Sequence, residues 1–149
     1  MISLVQYYGM YGRSKDLTPA RQANAQRLLK AVNRLMALGM QQGIVFMNSP
    51  ATRNQISTDV GGFRSQSCKS GAPFSAHKEA LAIDLYDGIE GAIGKWLMEG
   101  WKDKSSEAHK LIEELGLYFE HPDDTVGQIS HWSHWSLVRP ASGNRFFHP

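Results

Sequence analysis

The spacing of apolar residues predicts a long helix in the first third of the chain. Thr18 and Pro19 form a helix-start signal, because threonine caps free N–H groups and proline fits the first helical position. Apolar residues then recur every three or four positions over 28–36, which leaves one side of a helix apolar. We expect this amphipathic helix to end near Gly39 or Gly43.

Apolar runs and helical spacing predict further, shorter elements. The predicted strands cover 44–47, 81–86, 117–120 and 132–138, and the predicted helices cover 89–100 and 106–115. The segment 1–16 shows no clear period and is expected to be irregular, and the tail 139–149, which contains several Pro and Gly residues, is assigned no element. The polar segment 51–74 is too long for a plain turn, and loops of that length are usually functional. The order of elements predicts one α+β domain over 1–149, with a small antiparallel sheet and flanking helices.

Composition excludes several classes of protein. The chain has 149 residues, 42% of them hydrophobic and 20% charged, which is typical of a globular domain. Its net charge of +2 is too small to favour a nucleic-acid partner. The single cysteine, Cys68, allows no internal disulfide and no thiolate zinc cluster. No apolar run approaches the roughly 20 residues of a membrane span, and residues 1–8 lack a secretory signal, so we expect synthesis in the cytoplasm.

Candidate metal ligands lie in two segments, 75–84 and 131–136. A catalytic zinc site takes about three His or carboxylate ligands and leaves one position open. His77 lies just before a predicted strand and Asp84 lies within it. A straight strand would hold these two residues about 23 Å apart at ~3.3 Å per residue. They can therefore share one metal ion only if the chain bends near Ala80.

Strand alternation leaves more than one interpretation for these residues. A carboxylate in an apolar strand costs several kcal/mol unless it is paired or bound to a metal, so Asp84 is either a ligand or a residue on the solvent face of an edge strand. In the second segment, His131 and Trp135 share one face and His134 lies on the other. A regular strand therefore offers one imidazole to a given metal ion.

The same segments resemble those of a known family. Residues 75–84, Ser-x-His-x-x-Ala-x-Ala-x-Asp, resemble the SxHxxGxAxD signature of the zinc D-Ala-D-Ala carboxypeptidases and L-Ala-D-Glu endopeptidases, which cleave peptidoglycan and share the hedgehog/DD-peptidase fold. Ala80 stands where that family usually has glycine. The Trp-Ser-His-Trp of 132–135 is similar to its closing ligand strand, and the Gly-Phe-Arg-Ser of 62–65 to its arginine segment. Further similarities to small phage-encoded members lie at 17–19, 116–122 and 142–149.

The resemblance implies a role for each matching residue. The metal ligands would be His77, Asp84 and His134, with Arg64 and Ser75 as substrate-side groups. Trp135, which is adjacent to His134, is a further candidate for substrate binding. Arg64 would also stabilise the oxyanion. Trp132 and Trp135 line the cleft in this interpretation, with the alternative that at least one belongs to the core.

The identity of the general base stays open at this point. The family generally has Glu or Asp three residues before the last zinc-binding His, and here that position is His131. Imidazole can act as a base near neutral pH. Glu120 is the other candidate if its strand pairs antiparallel with 132–138, and it is otherwise an ordinary exposed carboxylate.

The function implied by the resemblance is zinc(II)-dependent hydrolysis of an amide bond in the peptidoglycan stem peptide. We expect a monomer that acts on bacterial cell-wall peptides during phage lysis or entry, after holin-type release or as a virion component. The imidazole at position 131 supports an alternative, a non-catalytic phage structural or peptidoglycan-binding module that retains the metal site. A zinc-dependent hydrolase of another amide is a third possibility.

Overall fold

Four helices and a four-stranded sheet make up the protein, whose computed structural model describes residues 1–149. The helices are α1 (Leu4–Tyr8), α2 (Pro19–Gln41), α3 (Ala92–Lys102) and α4 (Glu107–Leu115). The strands are β1 (Ala82–Tyr86), β2 (Tyr118–Glu120), β3 (Trp132–Ser136) and β4 (Phe146–Phe147), and short 3₁₀ turns occupy Gly9–Tyr11 and Pro122–Asp124. None of the helices combines the length and the apolar character that crossing a bilayer requires.

The long helix α2 confirms the prediction from the apolar spacing. The Thr18 hydroxyl accepts a hydrogen bond from the Arg21 N–H, and Pro19 is the first helical residue. The apolar side, which includes Leu28, Val32 and Leu35, is completely buried. These side chains join those of the sheet in one core, so the apolar side of α2 is buried within the same core as the sheet.

The sheet is mixed, which corrects the prediction of an antiparallel one. Its strand order is β1-β3-β2-β4; β3 pairs antiparallel with both β1 and β2, whereas β4 pairs parallel with β2. Strand β4 falls in the tail, to which the sequence analysis assigns no element. A two-residue strand is too short to show a period, and it forms because Phe146 stacks on Phe119, with ring centroids 5.2 Å apart.

Two other predictions at the start of the chain need correction. Residues 1–16 are not wholly irregular, because Ser3 and Gln6 cap α1 and Tyr7 is buried in the core. Residues 44–47 form no strand. Their apolar character serves packing instead, since Phe46 contacts the rings of Trp96 and Trp135 edge-on.

Helices α3 and α4 are anchored by polar side chains at their N-termini. Helix α4 begins after Ser106 and ends at Gly116 in the left-handed conformation, as the sequence predicts. Helix α3 begins later than the predicted residue 89, because the Asp87 carboxylate accepts hydrogen bonds from the N–H groups of Ile93 and Gly94, at 2.6 and 2.8 Å. This carboxylate follows β1 directly and so ties the helix to the sheet.

The two faces of the sheet have different surroundings. Ile83, Phe119 and Trp135 point into the core that the helices cover. Alternation along the strands then places Asp84 and His134 on the opposite face. The candidate site is therefore built on rigid strands at the face of the sheet away from the core.

Candidate metal centre

A bend at Ala80 brings His77 and Asp84 together. The segment before β1 forms a tight turn in which the Leu81 N–H donates to the Ala76 carbonyl, at 2.9 Å. Ala80 closes the turn in the left-handed region, with φ of 57°. His77 Nε2 consequently lies 3.3 Å from Asp84 Oδ1. The bend that a shared metal ion requires is present in the structure.

The third predicted ligand arrives from the neighbouring strand. Asp84 in β1 lies directly opposite His134 in β3, and His134 Nδ1 is 2.7 Å from Asp84 Oδ1. The rings of His77 and His134 are tilted against each other with centroids 5.2 Å apart. One potential ligand atom from each of the three residues lies within 4.8 Å of the others. The structure thus brings together the three ligands predicted from the sequence.

Asp84 is not an exposed residue on an edge strand. Although β1 is the last strand of the sheet on its side, the Asp84 N–H donates to the Gly61 carbonyl at 2.7 Å and the Tyr86 N–H donates to the Gln55 carbonyl at 2.8 Å. The loop 51–74 therefore covers this edge, and Asp84 is only 8% exposed. This burial favours the first of the two interpretations, in which the carboxylate needs a partner of opposite charge.

The hydrogen bonds of His77 determine which ring nitrogen faces the centre. His77 Nδ1 lies 2.9 Å from the Gly62 carbonyl, and a carbonyl oxygen can only accept, so Nδ1 carries the proton. In the neutral ring, Nε2 then directs a lone pair at the Asp84 carboxylate. Two lone pairs facing each other repel, so the site needs either an additional proton or a cation there. A backbone carbonyl behind a histidine is also the usual support of a metal-binding imidazole.

Gly62 holds this carbonyl in place by a close approach to α1. A Cβ atom at Gly62 would overlap the Tyr7 carbonyl oxygen, so a glycine is required. The next residue, Phe63, donates its N–H to that same oxygen, at 3.0 Å. The short helix α1 therefore positions the loop that orients His77.

Arg64 binds the part of Asp84 that the imidazoles leave free. Its Nη2 donates to Asp84 Oδ2 at 3.0 Å, while both imidazoles face Oδ1. Burial opposes ionisation of Asp84, but His77 and His134 outweigh it and hold the pKa of this carboxyl well below its ordinary value. Asp84 is therefore ionised, and Arg64 orients it in addition to lining the cavity.

An open cavity of about 560 Å³ lies over the three ligands. It offers both polar groups and apolar surface, which suits a peptide. Its lining includes Arg64, Ser75, His77, Asp84, Glu120, Trp132, His134 and Phe147. The sequence-predicted residues Arg64 and Ser75 thus share one cavity with the ligands.

The two candidate bases lie in different places. The pairing of β2 with β3, continued by one residue, puts Glu120 opposite His134, so Asp84, His134 and Glu120 form one row across three strands. Glu120 lines the cavity, and burial raises its pKa; the charge of His134 opposes this rise, and nearby carboxylates add to it. His131 instead lies beside Gly91 and lines a neighbouring depression, which shares Asp84 and Trp132 with the cavity. Of the two candidates, only Glu120 lines the cavity itself.

Trp135 does not line the cleft, which corrects the sequence-based assignment. It is fully buried, packs edge-on against Phe119, and donates from Nε1 to the Ser133 hydroxyl at 2.8 Å. Trp132 lines the cavity instead. Because neighbouring residues of a strand point to opposite faces, a cavity that contains His134 excludes Trp135.

Sequence analysis also missed Phe147 and the Gly62 carbonyl. The Phe147 ring lies edge-on to that of His134, with centroids 6.2 Å apart, and forms part of the cavity wall. No local pattern marks a two-residue strand or a single carbonyl. Both belong to the site because of the fold alone.

Comparisons with protein-family models, with characterised proteins and with solved structures found no match to this chain. The case for a function therefore rests on the side chains of the site and on their geometry.

Proposed function

We propose that this protein is a zinc peptidase that hydrolyses an amide bond in the peptidoglycan stem peptide. The observation that carries the proposal is the convergence of His77, Asp84 and His134 at the base of an open cavity that also contains Glu120. In this proposal the chain is a relative of the D-Ala-D-Ala carboxypeptidases and L-Ala-D-Glu endopeptidases with a hedgehog/DD-peptidase-like fold. Its biological role is then cell-wall cleavage in phage lysis or entry.

The three ligands fit zinc in number and in type. Two imidazole nitrogens and one carboxylate oxygen are a typical donor set for catalytic zinc, and three protein ligands leave a coordination position open. The groups behind the ligands also fit, because the Gly62 carbonyl orients the His77 ring and the Arg64 guanidinium holds the Asp84 carboxylate. When bound, zinc supplies Lewis acidity: it makes water nucleophilic near neutral pH and polarises a carbonyl group.

Other residues that line the cavity supply the general base, the contacts with the peptide and a positive charge. Glu120 is the general base, because its carboxylate lies one strand beyond His134 and can take a proton from the attacking water and return it to the leaving amine. Ser75 presents a hydroxyl to the backbone of a peptide, and Trp132 presents an apolar wall. Arg64 keeps Asp84 in position and places positive charge at the cavity, where it favours a carboxylate or a developing oxyanion.

The proposal is tested by measuring amino groups released from purified peptidoglycan by the zinc-loaded protein. Glu120→Gln should lower the rate by about 10²–10⁴-fold while zinc content stays unchanged, because general bases contribute that much. The matched control is Glu114→Gln, which makes the same chemical change at an exposed carboxylate that pairs with Arg34. The control should keep the parental rate. His77→Ala should lose zinc and activity together.

Two results would contradict parts of this proposal. Parental activity in His77→Ala would show that the ligand assignment is wrong. A stoichiometrically zinc-loaded protein that binds peptidoglycan but releases no product at any pH would instead establish the non-catalytic binding module, which the imidazole at position 131 also favours.

A further inference from the structure

A second group of metal-ligating side chains lies beside β2 and β4, at the other edge of the sheet. It consists of His121, Asp124 and His148, which offer ligand atoms within 4.8 Å of one another. None of them belongs to the first centre, the group formed by His77, Asp84 and His134. We propose that these three residues bind a second transition-metal ion of the zinc type, and that this ion fastens β4 to β2.

Strand pairing places the two imidazoles side by side. In the parallel pair, Glu120 of β2 is level with Phe147 of β4, so the next residues, His121 and His148, are neighbours. The His121 N–H donates to the Phe147 carbonyl at 2.8 Å and fixes this register. The two rings stack with centroids 4.7 Å apart and an angle of 24° between their planes. The register of the two strands therefore places the two imidazoles side by side.

A tight turn returns the carboxylate to the same place. The turn Pro122–Asp124 follows His121 at once, and the Asp124 N–H donates to the His121 carbonyl at 2.9 Å. Thr125, which is buried, closes the turn with a hydrogen bond from its hydroxyl to the Pro122 carbonyl at 3.1 Å. His148 Nδ1 consequently lies 2.6 Å from Asp124 Oδ2.

A metal ion would bind all three side chains, whereas an ion pair between Asp124 and His148 involves only two of them. The side chains of His148 and Asp124 are 69% and 32% exposed, and an ion pair at such a surface is worth only about 0–1 kcal/mol. The second imidazole lies outside this pair, because His121 Nδ1 accepts a long hydrogen bond from the Asp123 N–H, at 3.3 Å. A metal ion at that nitrogen would replace this bond. Two neutral rings and one carboxylate, however, form the same nitrogen-and-oxygen donor set as in the first centre.

Binding at this second centre would reach the cavity through β4. Phe147 precedes His148, and both Phe147 and Pro149 line the cavity over the first centre. An ion that links His148 to β2 therefore also restricts the movement of Phe147 and Pro149 at the cavity wall. Because the ligands of the two centres are different residues, metal binding here does not depend on the proposed peptidase activity.

The test is a zinc titration of the metal-free, full-length protein against a chromophoric chelator. The parental chain should bind two zinc ions. Asp124→Asn and His148→Gln should each weaken one of them at least tenfold, whereas Asp84→Asn should weaken the other. The matched control, Asp59→Asn, alters an exposed carboxylate outside both groups and should keep two.

A second readout concerns β4 itself. Amide hydrogen exchange at His121, whose N–H bonds to β4, should slow at least tenfold on zinc addition in the parental chain and in Asp84→Asn, but not in Asp124→Asn. One zinc ion that is lost in Asp124→Asn and kept in Asp84→Asn would support the second centre and contradict the first. Zinc binding that is unchanged in both Asp124→Asn and His148→Gln would overturn the second centre.

Discussion

At the scale of single residues, the site depends on the unusual backbone of Ala80. This residue is completely buried and has a positive φ, which a non-glycine residue adopts at a cost of about 1–2 kcal/mol. Its methyl group in turn gains about 0.8 kcal/mol from burial. The turn that joins His77 to Asp84 therefore carries strain that the packing of the core offsets in part.

Replacement of Ala80 tests this balance. Ala80→Gly should change the free energy of unfolding by less than about 1 kcal/mol, because relief of strain is opposed by the lost methyl group and by the greater freedom of glycine in the unfolded chain. Ala80→Val should destabilise the protein by more than about 2 kcal/mol. A β-branched residue is strained at this positive φ, and its additional methyl groups do not fit in the buried site. Urea unfolding of the metal-free proteins measures both. A loss of several kcal/mol in Ala80→Gly would contradict the assigned conformation.

At the scale of elements, the junction between β1 and α3 depends on Asp87. The residue is almost fully buried, and its carboxylate supplies the side-chain cap that Gly91, the residue before the helix, cannot supply. Burial raises the pKa of Asp87, although the N–H groups of Gly94 and Ile93 oppose this rise. The same carboxylate thus stabilises the helix through hydrogen bonds and costs free energy when it ionises.

Substitution of Asp87 separates these two effects. Asp87→Ala should lower the free energy of unfolding by about 1–3 kcal/mol, because two buried N–H groups lose their acceptor. Asp87→Asn should lower the free energy of unfolding by less, because the amide oxygen can still accept hydrogen bonds from these N–H groups.

The pH dependence of Asp87 has a definite sign. Because its folded pKa lies above the unfolded value, the folded state holds the proton more tightly, and stability falls as pH rises from the unfolded pKa through the folded pKa. Urea unfolding across the acidic range should show this fall in the parental protein relative to Asp87→Asn. A difference that grew in the opposite direction would show that the capping bonds lower the folded pKa below the unfolded one.

At the scale of the whole molecule, the first centre joins distant parts of the chain. His77 comes from the turn before β1, and His134 comes from β3, 50 residues beyond Asp84. A metal ion that binds all three binds the folded state only, since the unfolded chain does not hold them together. Metal binding is therefore linked to global stability.

This linkage predicts a zinc-dependent stability. In Asp124→Asn, which isolates the first centre, free zinc at 100 times its Kd should raise the free energy of unfolding by about 2.7 kcal/mol. The increase should vanish on addition of a chelator and in a variant that also carries His134→Ala. A variant that instead also carries Arg34→Ala, which removes an exposed ion pair, should keep the increase. Thermal unfolding with and without zinc measures the effect, and equal shifts in the two variants would contradict a metal ion at His134.

Local signals explain which elements were predictable. Helices α2 and α4 have side-chain caps and regular apolar spacing, and the structure confirms both. The apolar run 44–47 was mistaken for a strand because its hydrophobicity serves the packing of Phe46 and not pairing. Strand β4 was missed because two residues carry no period, so the parallel pair and the mixed sheet could not be predicted.

The candidate ligands could be identified from the sequence, whereas only the fold brings them together. His77, Asp84 and His134 could be named because their segments resemble a known zinc-binding signature, whereas strand alternation alone left Asp84 and the two imidazoles open. Which member of each pair, Glu120 or His131 and Trp132 or Trp135, lines the cavity depended on strand register and on which face of the sheet borders it. Such choices need contacts between residues far apart in the chain, and local propensity contains no information about those contacts.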